Sequence, residues 1–293
     1  MAAKMRKKRN ITAFDVVNYA VLGLFALITL YPFLYVLAGS FNDGLDYAGG
    51  GVWIVPRKVT MANYTVVMQD LAFWKAFGNT VAITVIGTVC ALLFTSAVAY
   101  AMSRKELRFR RVFQWLNLFA MFFSGGLIPY FFIINLLGLY DNFLVYIIPS
   151  VYSVYNMIIV QSFFRSIPEE LREAAVIDGA GELRIWLTIY MPLSKPVLAT
   201  VGLWLATGFW NSYFTTMVYT RGVDLATLQY HLMKMIKQAK VDTGGMDPSL
   251  IAQTTSQTIS YAAIVIATIP IVCVYPFIQK HFAKGVMIGS LKG

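Results

Sequence analysis

An all-α fold of six membrane-crossing helices is predicted by three observations. The chain of 293 residues is 58% hydrophobic yet only 13% charged, where a soluble domain carries about 25% charged residues. Its apolar residues gather into six runs that reach the ~20 residues a helix needs to cross a hydrocarbon core. The basic residues behind the formal charge of +10 cluster between those runs. That pattern sets membrane topology and is not the continuous patch that grips nucleic acid. The runs must be helices, because lipid offers no partner to the backbone of an open strand. The alternating segments of about ten residues that build a membrane barrel are missing.

Taken in order, residues 1–15 are a basic N-terminal segment holding Lys4, Arg6, Lys7, Lys8 and Arg9, and residues 16–293 form the transmembrane domain. The first run, 16–37, exceeds the roughly 7–15 apolar residues of a signal peptide and lacks a small-residue cleavage site after it. It is expected to stay as a span. The loop 41–78 holds Gly49-Gly50-Gly51, Trp53 and Pro56 and reads as a flexible stretch followed by an interfacial anchor. The second to sixth runs are 80–102, 112–136, 144–164, 197–219 and 259–278. Lys and Arg crowd one side of the membrane: before the first run, after the second (Arg104 to Arg111), after the fourth (Arg165, Arg172, Arg184, Lys195) and at the C-terminal end. Both termini and the segment 166–195 are therefore expected in the cytoplasm. On the opposite side, 221–257 carries an amphipathic stretch at 228–239 and a Gly244-Gly245 turn. Cys90 and Cys273 both lie inside apolar runs and are expected to pack as small hydrophobes. His231 and His281 stand far apart with no metal-ligand spacing around them, so no metal site is expected.

The most informative segment is 168–192. Ser166-Ile167-Pro168-Glu169 fits a capping box, with Pro168 in the first turn where its missing N–H costs little. A short helix is expected over about 167–177. Asp178-Gly179 should end it, since glycine readily takes the left-handed conformation at a helix C-terminus. A second short helix, about 180–189, should stop before Pro192. Two short helices joined by a tight turn make a knob. Ala174, Ala175, Gly179 and Ala180 are small enough for close approach by another surface, and Glu169, Glu170, Glu173 and Asp178 offer charge to a basic one. The competing reading is an amphipathic connector with one solvated face.

Glu173-Ala174-Ala175, three residues, Gly179, nine residues and Ile189-Tyr190-Met191-Pro192 resemble the EAA loop of binding-protein-dependent ABC importer permeases. The family usually has leucine where this chain has Met191, a swap that keeps size and apolarity. Phe123-Ser-Gly-Gly-Leu-Ile-Pro-Tyr130, Leu137-Gly-Leu-Tyr-Asp141, Trp210-Asn-Ser-Tyr213, Leu228-Gln-Tyr230 and Lys284-Gly-Val-Met-Ile-Gly-Ser-Leu-Lys-Gly293 extend the likeness over nearly the whole chain. They resemble the branch that moves oligosaccharides and polysaccharides, acidic ones such as alginate included. The resemblance implies a type I importer permease in the bacterial inner membrane. It also implies a second permease chain, two ATPase subunits that bind ATP and magnesium, and an extracytoplasmic solute-binding protein. The coupling residues it implies here are Glu173, Ala174, Ala175, Asp178, Gly179, Ala180, Ile189 and Pro192.

No Gly-x-x-x-x-Gly-Lys-Ser/Thr phosphate loop is present in the chain, so ATP chemistry is expected on the partner, with no cofactor and no catalytic residue here. Candidates to line a sugar pathway are Asn156 and Gln161 in the fourth run and Trp210, Asn211 and Tyr213 in the fifth. Amides can bond hydroxyls and aromatic rings can lie flat on sugar faces. Each could instead bond or pack across helices. Arg221, Lys234, Lys237 and Lys240 would suit an anionic saccharide. An ion-coupled transporter is disfavoured because the third to sixth runs contain no Asp, Glu, Lys or Arg and no inverted repeat is visible. An intramembrane enzyme lacks any nucleophile or acid–base cluster. A permease for amino acids or phosphate shares the loop and is the remaining alternative.

Overall fold

The computed structural model describes residues 12–238 and 247–290, except for the side chains of Gln238 and of residues 275–290. The basic cluster at 4–9, Lys240, the Gly244-Gly245 turn, Lys292 and the side chains of Lys280, His281 and Lys284 lie outside the described residues. The chain runs through α1 (Ala13–Ser40), α2 (Gly44–Ala48), α3 (Ala62–Gln69), α4 (Leu71–Ser103), α5 (Arg110–Phe122) and α6 (Leu127–Leu136). Next come α7 (Leu144–Ile147), α8 (Val154–Phe164), α9 (Glu170–Ile177), α10 (Glu182–Ile185), a π turn at Trp186–Tyr190 and α11 (Met191–Leu193). It closes with α12 (Lys195–Trp210), α13 (Phe214–Tyr219), α14 (Leu228–Gln238), α15 (Pro248–Ile251) and α16 (Ser256–Ser290). The regular structure of the described residues is helical.

Three helices are long and apolar enough to cross a membrane unaided: α1, α4 and the Ser256–Val274 part of α16. Three bent pairs bring the number to as many as six. The expected third run is one of these pairs, α5 and α6, bent by 116°. Gly126 takes φ +85° at the break, a backbone region open to glycine and costly for other residues. The fourth run bends by 51°, where Pro149 sits in a 3-10 turn and Ser153 caps α8.

The fifth run departs furthest from its expected 197–219. Its helix α12 stops at Trp210 and helix resumes only at Phe214. The freed Ser212 carbonyl accepts the Thr227 hydroxyl at 2.7 Å. Such a break is tolerated at membrane depth only where protein supplies the missing partner. The second run is longer than the expected 80–102 because Asp70 caps α4, accepting the Ala72 and Phe73 amides at 2.9 and 3.2 Å. The first turns of α4 carry Lys75 and Asn79, which bond Asp224 and the Ala226 carbonyl.

The described residues divide into two compact units, one of residues 12–69 and 247–266, the other of 70–238 and 267–290. In the first, α1 is exposed along nearly its whole length and buries only Ala38, Gly39 and Ser40. A helix apolar all round needs lipid or another protein against it. Thr12 and Asp15 close its N-terminus with a capping box. Below it lies a buried polar knot. Asn63 Nδ2 donates to the carbonyls of Ser40 and Asn42, and Thr258 donates to Asn63 Oδ1 at 2.8 Å. Asn42 Oδ1 accepts the Arg57 and Lys58 amides. Trp53, Ile54 and Val55 stand exposed together, as an interfacial anchor would.

In the second unit α4 packs along α12 and α8. One cluster gathers Ala99, Met102, Met157, Phe164, Ile185 and Tyr190. Another, toward the opposite end of α4, gathers Ile83, Ala91, Val145, Tyr146 and Phe209. Leu228, Leu232 and Met235 give α14 a buried stripe, so the expected amphipathic helix at 228–239 is present through Gln238. Cys90 packs beside the second cluster, whereas Cys273 is exposed on α16 and is not the buried thiol expected from its apolar run.

Asp70 also accepts His231 Nε2 at 3.1 Å. Burial pushes its carboxyl up, but the His231 bond and the helix amides outweigh that and hold it below the ordinary value. A depressed carboxylate stabilises the fold above its unfolded pKa, and the contribution disappears as pH falls through the lowered value. Asp70→Ala is expected to cost about 0.5–2 kcal/mol, the usual price of a lost N-cap. A fall in the thermal midpoint of the detergent-solubilised chain at neutral pH checks it.

Candidate coupling knob and polar cavity

The segment expected to be a knob folds as one. Its first helix, α9, ends in a Schellman arrangement: Gly179 takes φ +79°, its N–H donates to the Val176 carbonyl at 3.0 Å, and the Ala180 N–H donates to the Ala175 carbonyl at 2.9 Å. The start differs from the expected capping box. Ser166 Oγ donates back to the Phe163 carbonyl at 2.7 Å, and α9 begins only at Glu170 with no side-chain cap. Glu169 is drawn away by Arg104, which donates to it at 2.9 Å.

The second limb does not stop before Pro192. The helix widens into the π turn and continues through Pro192 to Leu193. Proline cannot donate to the preceding turn and its ring crowds that turn, and a π bulge opens the turn where the ring arrives. The chain then bends by 86° into α12.

The expected coupling residues divide between two faces. Glu173, Ala174, Asp178, Gly179 and Pro192 are exposed. Ala175, Ala180 and Ile189 are half-buried and pack against the chain's own core. Around the outward set lies an apolar patch that sequence reading missed: Leu171, Val176, Leu183 and above all Ile177, 86% exposed at the tip. Exposed together, these four side chains make an apolar patch of the kind that meets another surface.

Inside the knob the charges pair. Arg172 donates to Glu182 at 2.5 Å and lies within ion-pair reach of Glu169 and Glu106. The Arg172 hydrogen bond, opposed by partial burial, holds the Glu182 carboxyl below its usual range. Tyr100 Oη, on α4, donates to the same carboxylate. Of the four acidic residues read as charge for a partner, Glu169 is thus engaged internally.

The pathway candidates also separate. Gln161 is buried and donates to the Met102 carbonyl at 2.5 Å, a helix-tying role. Trp210 is buried edge-on against Phe77. Asn211 donates to the Thr207 carbonyl of its own helix. Tyr213 is exposed. Asn156 lines a cavity of about 380 Å³ between α8 and α12, with Tyr152, Ser153, Trp204, Ser212 and Thr215, while Gln161 lines a second one of about the same size, with Trp115, Asn117 and Met157. Asn156 is only 8% exposed; its backbone N–H bonds the Ser153 cap, and its side-chain amide makes no hydrogen bond among the described residues. Trp204, at 40% exposure, and Tyr152 were not singled out from the sequence. Nothing in a mostly apolar run distinguishes an indole that faces a cavity from one that faces lipid. Among the cations read as suited to an anionic saccharide, Arg221 lies over the Tyr140 ring and Lys234 over Tyr230.

A helical chain with three to six candidate spans and a paired-helix knob between α8 and α12 has the architecture of a type I importer permease. A family profile described as "Binding-protein-dependent transport system inner membrane component" matches residues 1–288, and the chain belongs to that family. Its members are transport subunits and not themselves ATPases. They work with a second permease, an ATPase and a binding protein. The chain is 40% identical to Protein LplC of Bacillus subtilis (strain 168) over 280 residues, 96% of this chain and 95% of that one. It is 36% identical to the polygalacturonan/rhamnogalacturonan transport system permease protein YtcP of the same organism, over 96% of this chain and 98% of the other. Among solved structures it matches a chain from "a bacterial ABC transporter involved in the import of the acidic polysaccharide alginate", with a TM-score of 0.87 and 38% identity over 92% of this chain and 96% of that one.

Proposed function

We propose that this chain is one permease half of an ATP-driven importer that carries an oligosaccharide or polysaccharide across the bacterial inner membrane, coupled to ATP hydrolysis through the knob. The observation that carries the coupling is the knob itself: small and acidic residues around an exposed Ile177, held on a Schellman turn. Such a surface suits a groove on an ATPase subunit. ATP and magnesium are bound by the two ATPase partners, and a second, different permease completes the pathway. An extracytoplasmic binding protein delivers the saccharide. The positive-inside bias of the basic clusters supports a cytoplasmic location for the termini and the knob.

The carbohydrate reading rests on a relative named for polygalacturonan and rhamnogalacturonan transport and on a solved structure titled for alginate import. The cavity supports it chemically, since its lining offers an amide, hydroxyls and aromatic faces. That lining carries no formal charge, so this half reads hydroxyls and ring faces, and the carboxylates of a uronate are met elsewhere in the assembly. Asn156→Ala and Trp204→Leu are each expected to raise the KM for uptake about 3–10-fold, the worth of one lost hydrogen bond or packed face. An unchanged KM in both variants removes the cavity from the pathway. The reading as a whole is tested in proteoliposomes holding this chain with the permease, ATPase and binding protein encoded beside it. Hydrolysis stimulated by pectin or alginate fragments, and dependent on the binding protein, is the expected result. Stimulation by neutral fragments alone would overturn the acidic part, and no stimulation by any saccharide would overturn the carbohydrate part.

A further inference from the structure

The knob is tied to the bundle at two points that the coupling reading does not include. Arg104, at the end of α4, is only 9% exposed. Its guanidinium donates to Glu169, where the first limb begins, and to Tyr190 Oη at 2.9 Å in the π turn of the second limb. It lies over the rings of both Tyr100 and Tyr190, at 5.1 and 4.9 Å from their centroids. Ser103 Oγ accepts from its Nε and Nη2. One turn earlier on α4, Tyr100 donates to Glu182, which also takes Arg172. One helix end thus grips both limbs of the knob.

Covalently, the knob joins α8 to α12, the two helices that flank the polar cavity. It meets them through two changes of direction, the Ser166–Pro168 turn and the 86° bend at Ser194. A displacement at its tip could be absorbed there. Contacts to α4, which packs along both α8 and α12, remove that freedom.

We propose that Arg104, with the Tyr100–Glu182 bond, is a latch that makes the knob, α4, α8 and α12 move as one body, and that Arg104 is a positioning residue for coupling. Lysine cannot replace it, because a point charge cannot bond Glu169 and Tyr190 together while stacking on two rings. The proposal rests on the coupling reading above.

The test uses the reconstituted complex with Arg104→Lys, Glu182→Gln, Tyr100→Phe and the double variant Tyr100→Phe/Glu182→Gln. Saccharide moved per ATP hydrolysed is expected to fall about fivefold or more in Arg104→Lys, at the lower range of allosteric couplings. Basal hydrolysis and recovery of the assembled complex should stay as in the parent. The double variant should lose less than the sum of the two single changes, because both weaken the same bond. An unchanged transport-to-hydrolysis ratio in assembled Arg104→Lys, or fully additive losses in the double variant, overturns the latch. Tyr190→Phe, which removes one hydroxyl, decides the case if Arg104→Lys does not assemble: an unchanged ratio there also overturns it. A parent complex that hydrolyses ATP without response to saccharide and binding protein contradicts the coupling reading instead, so the two failures are distinct.

Discussion

Gly179→Pro is expected to abolish uptake while leaving the chain in the membrane and its other helices intact. Gly179 sits at φ +79°, and proline is locked near −65°. The substitution also deletes the N–H that closes on the Val176 carbonyl. The Schellman turn must open, and the angle between α9 and α10 changes with it. No side-chain space is at issue, because a Cβ at this position would meet nothing within 4 Å. Gly179→Ala therefore isolates the backbone cost, about 1–2 kcal/mol for a left-handed residue, and should be the milder variant. Glu173→Lys reverses the charge at an exposed position of the same surface and is expected to weaken docking without touching the turn. Uptake and binding-protein-stimulated hydrolysis, measured side by side, check all three. The order Gly179→Pro, then Glu173→Lys, then Gly179→Ala in severity is the expected one, and unimpaired uptake in the proline variant would remove the knob from coupling.

Gly44→Ala is expected to unfold the polar knot of the first unit. An alanine Cβ at that position would lie 2.4 Å from the Thr255 nitrogen and 2.5 Å from the Thr254 carbonyl carbon. These are backbone atoms and cannot swing aside. The Gly44 N–H donates to the Gln253 carbonyl at 2.8 Å, so relieving the clash breaks that bond as well. Overpacking a tight site costs about 1–3 kcal/mol, and the buried Asn63 bonds nearby stand to lose their geometry. A drop in the thermal midpoint and faster proteolysis between residues 41 and 62 are the expected readouts. Parent-like stability would mean that the two segments do not meet this closely.

The two substitutions mark what a single sequence reveals and what it does not. Gly179 was legible because its neighbours announce a helix end, and the spacing from Glu173 to Pro192 repeats a known loop. The need for glycine at 44 depends on a segment some 210 residues further on, which no local pattern encodes. The six apolar runs located the spans, since length and hydropathy are local properties. Their bends were hidden for opposite reasons. Phe123-Ser-Gly-Gly126 and Pro149 carried local signals that a hydropathy window averages away, while the break at Asn211 to Tyr213 is stabilised by Thr227, in the loop just ahead of α14. Pro192 misled, because a π turn can absorb a proline that would end an ordinary helix. Arg104 looked like one more topological cation beside Lys105 and Arg108. Its burial between two tyrosines emerges only when α4 and the knob are brought together.

Contact between the exposed tip of the knob and an ATPase subunit is measured by cross-linking from position 177. Cys90 and Cys273 would be changed to serine, Ile177 to cysteine, and a short photoactivatable reagent attached in the assembled complex. The expected product is an adduct between this chain and the ATPase subunit, with a yield that changes between ATP-bound and nucleotide-free states. Adducts confined to lipid or to the second permease, with the ATPase present and active, would contradict that contact.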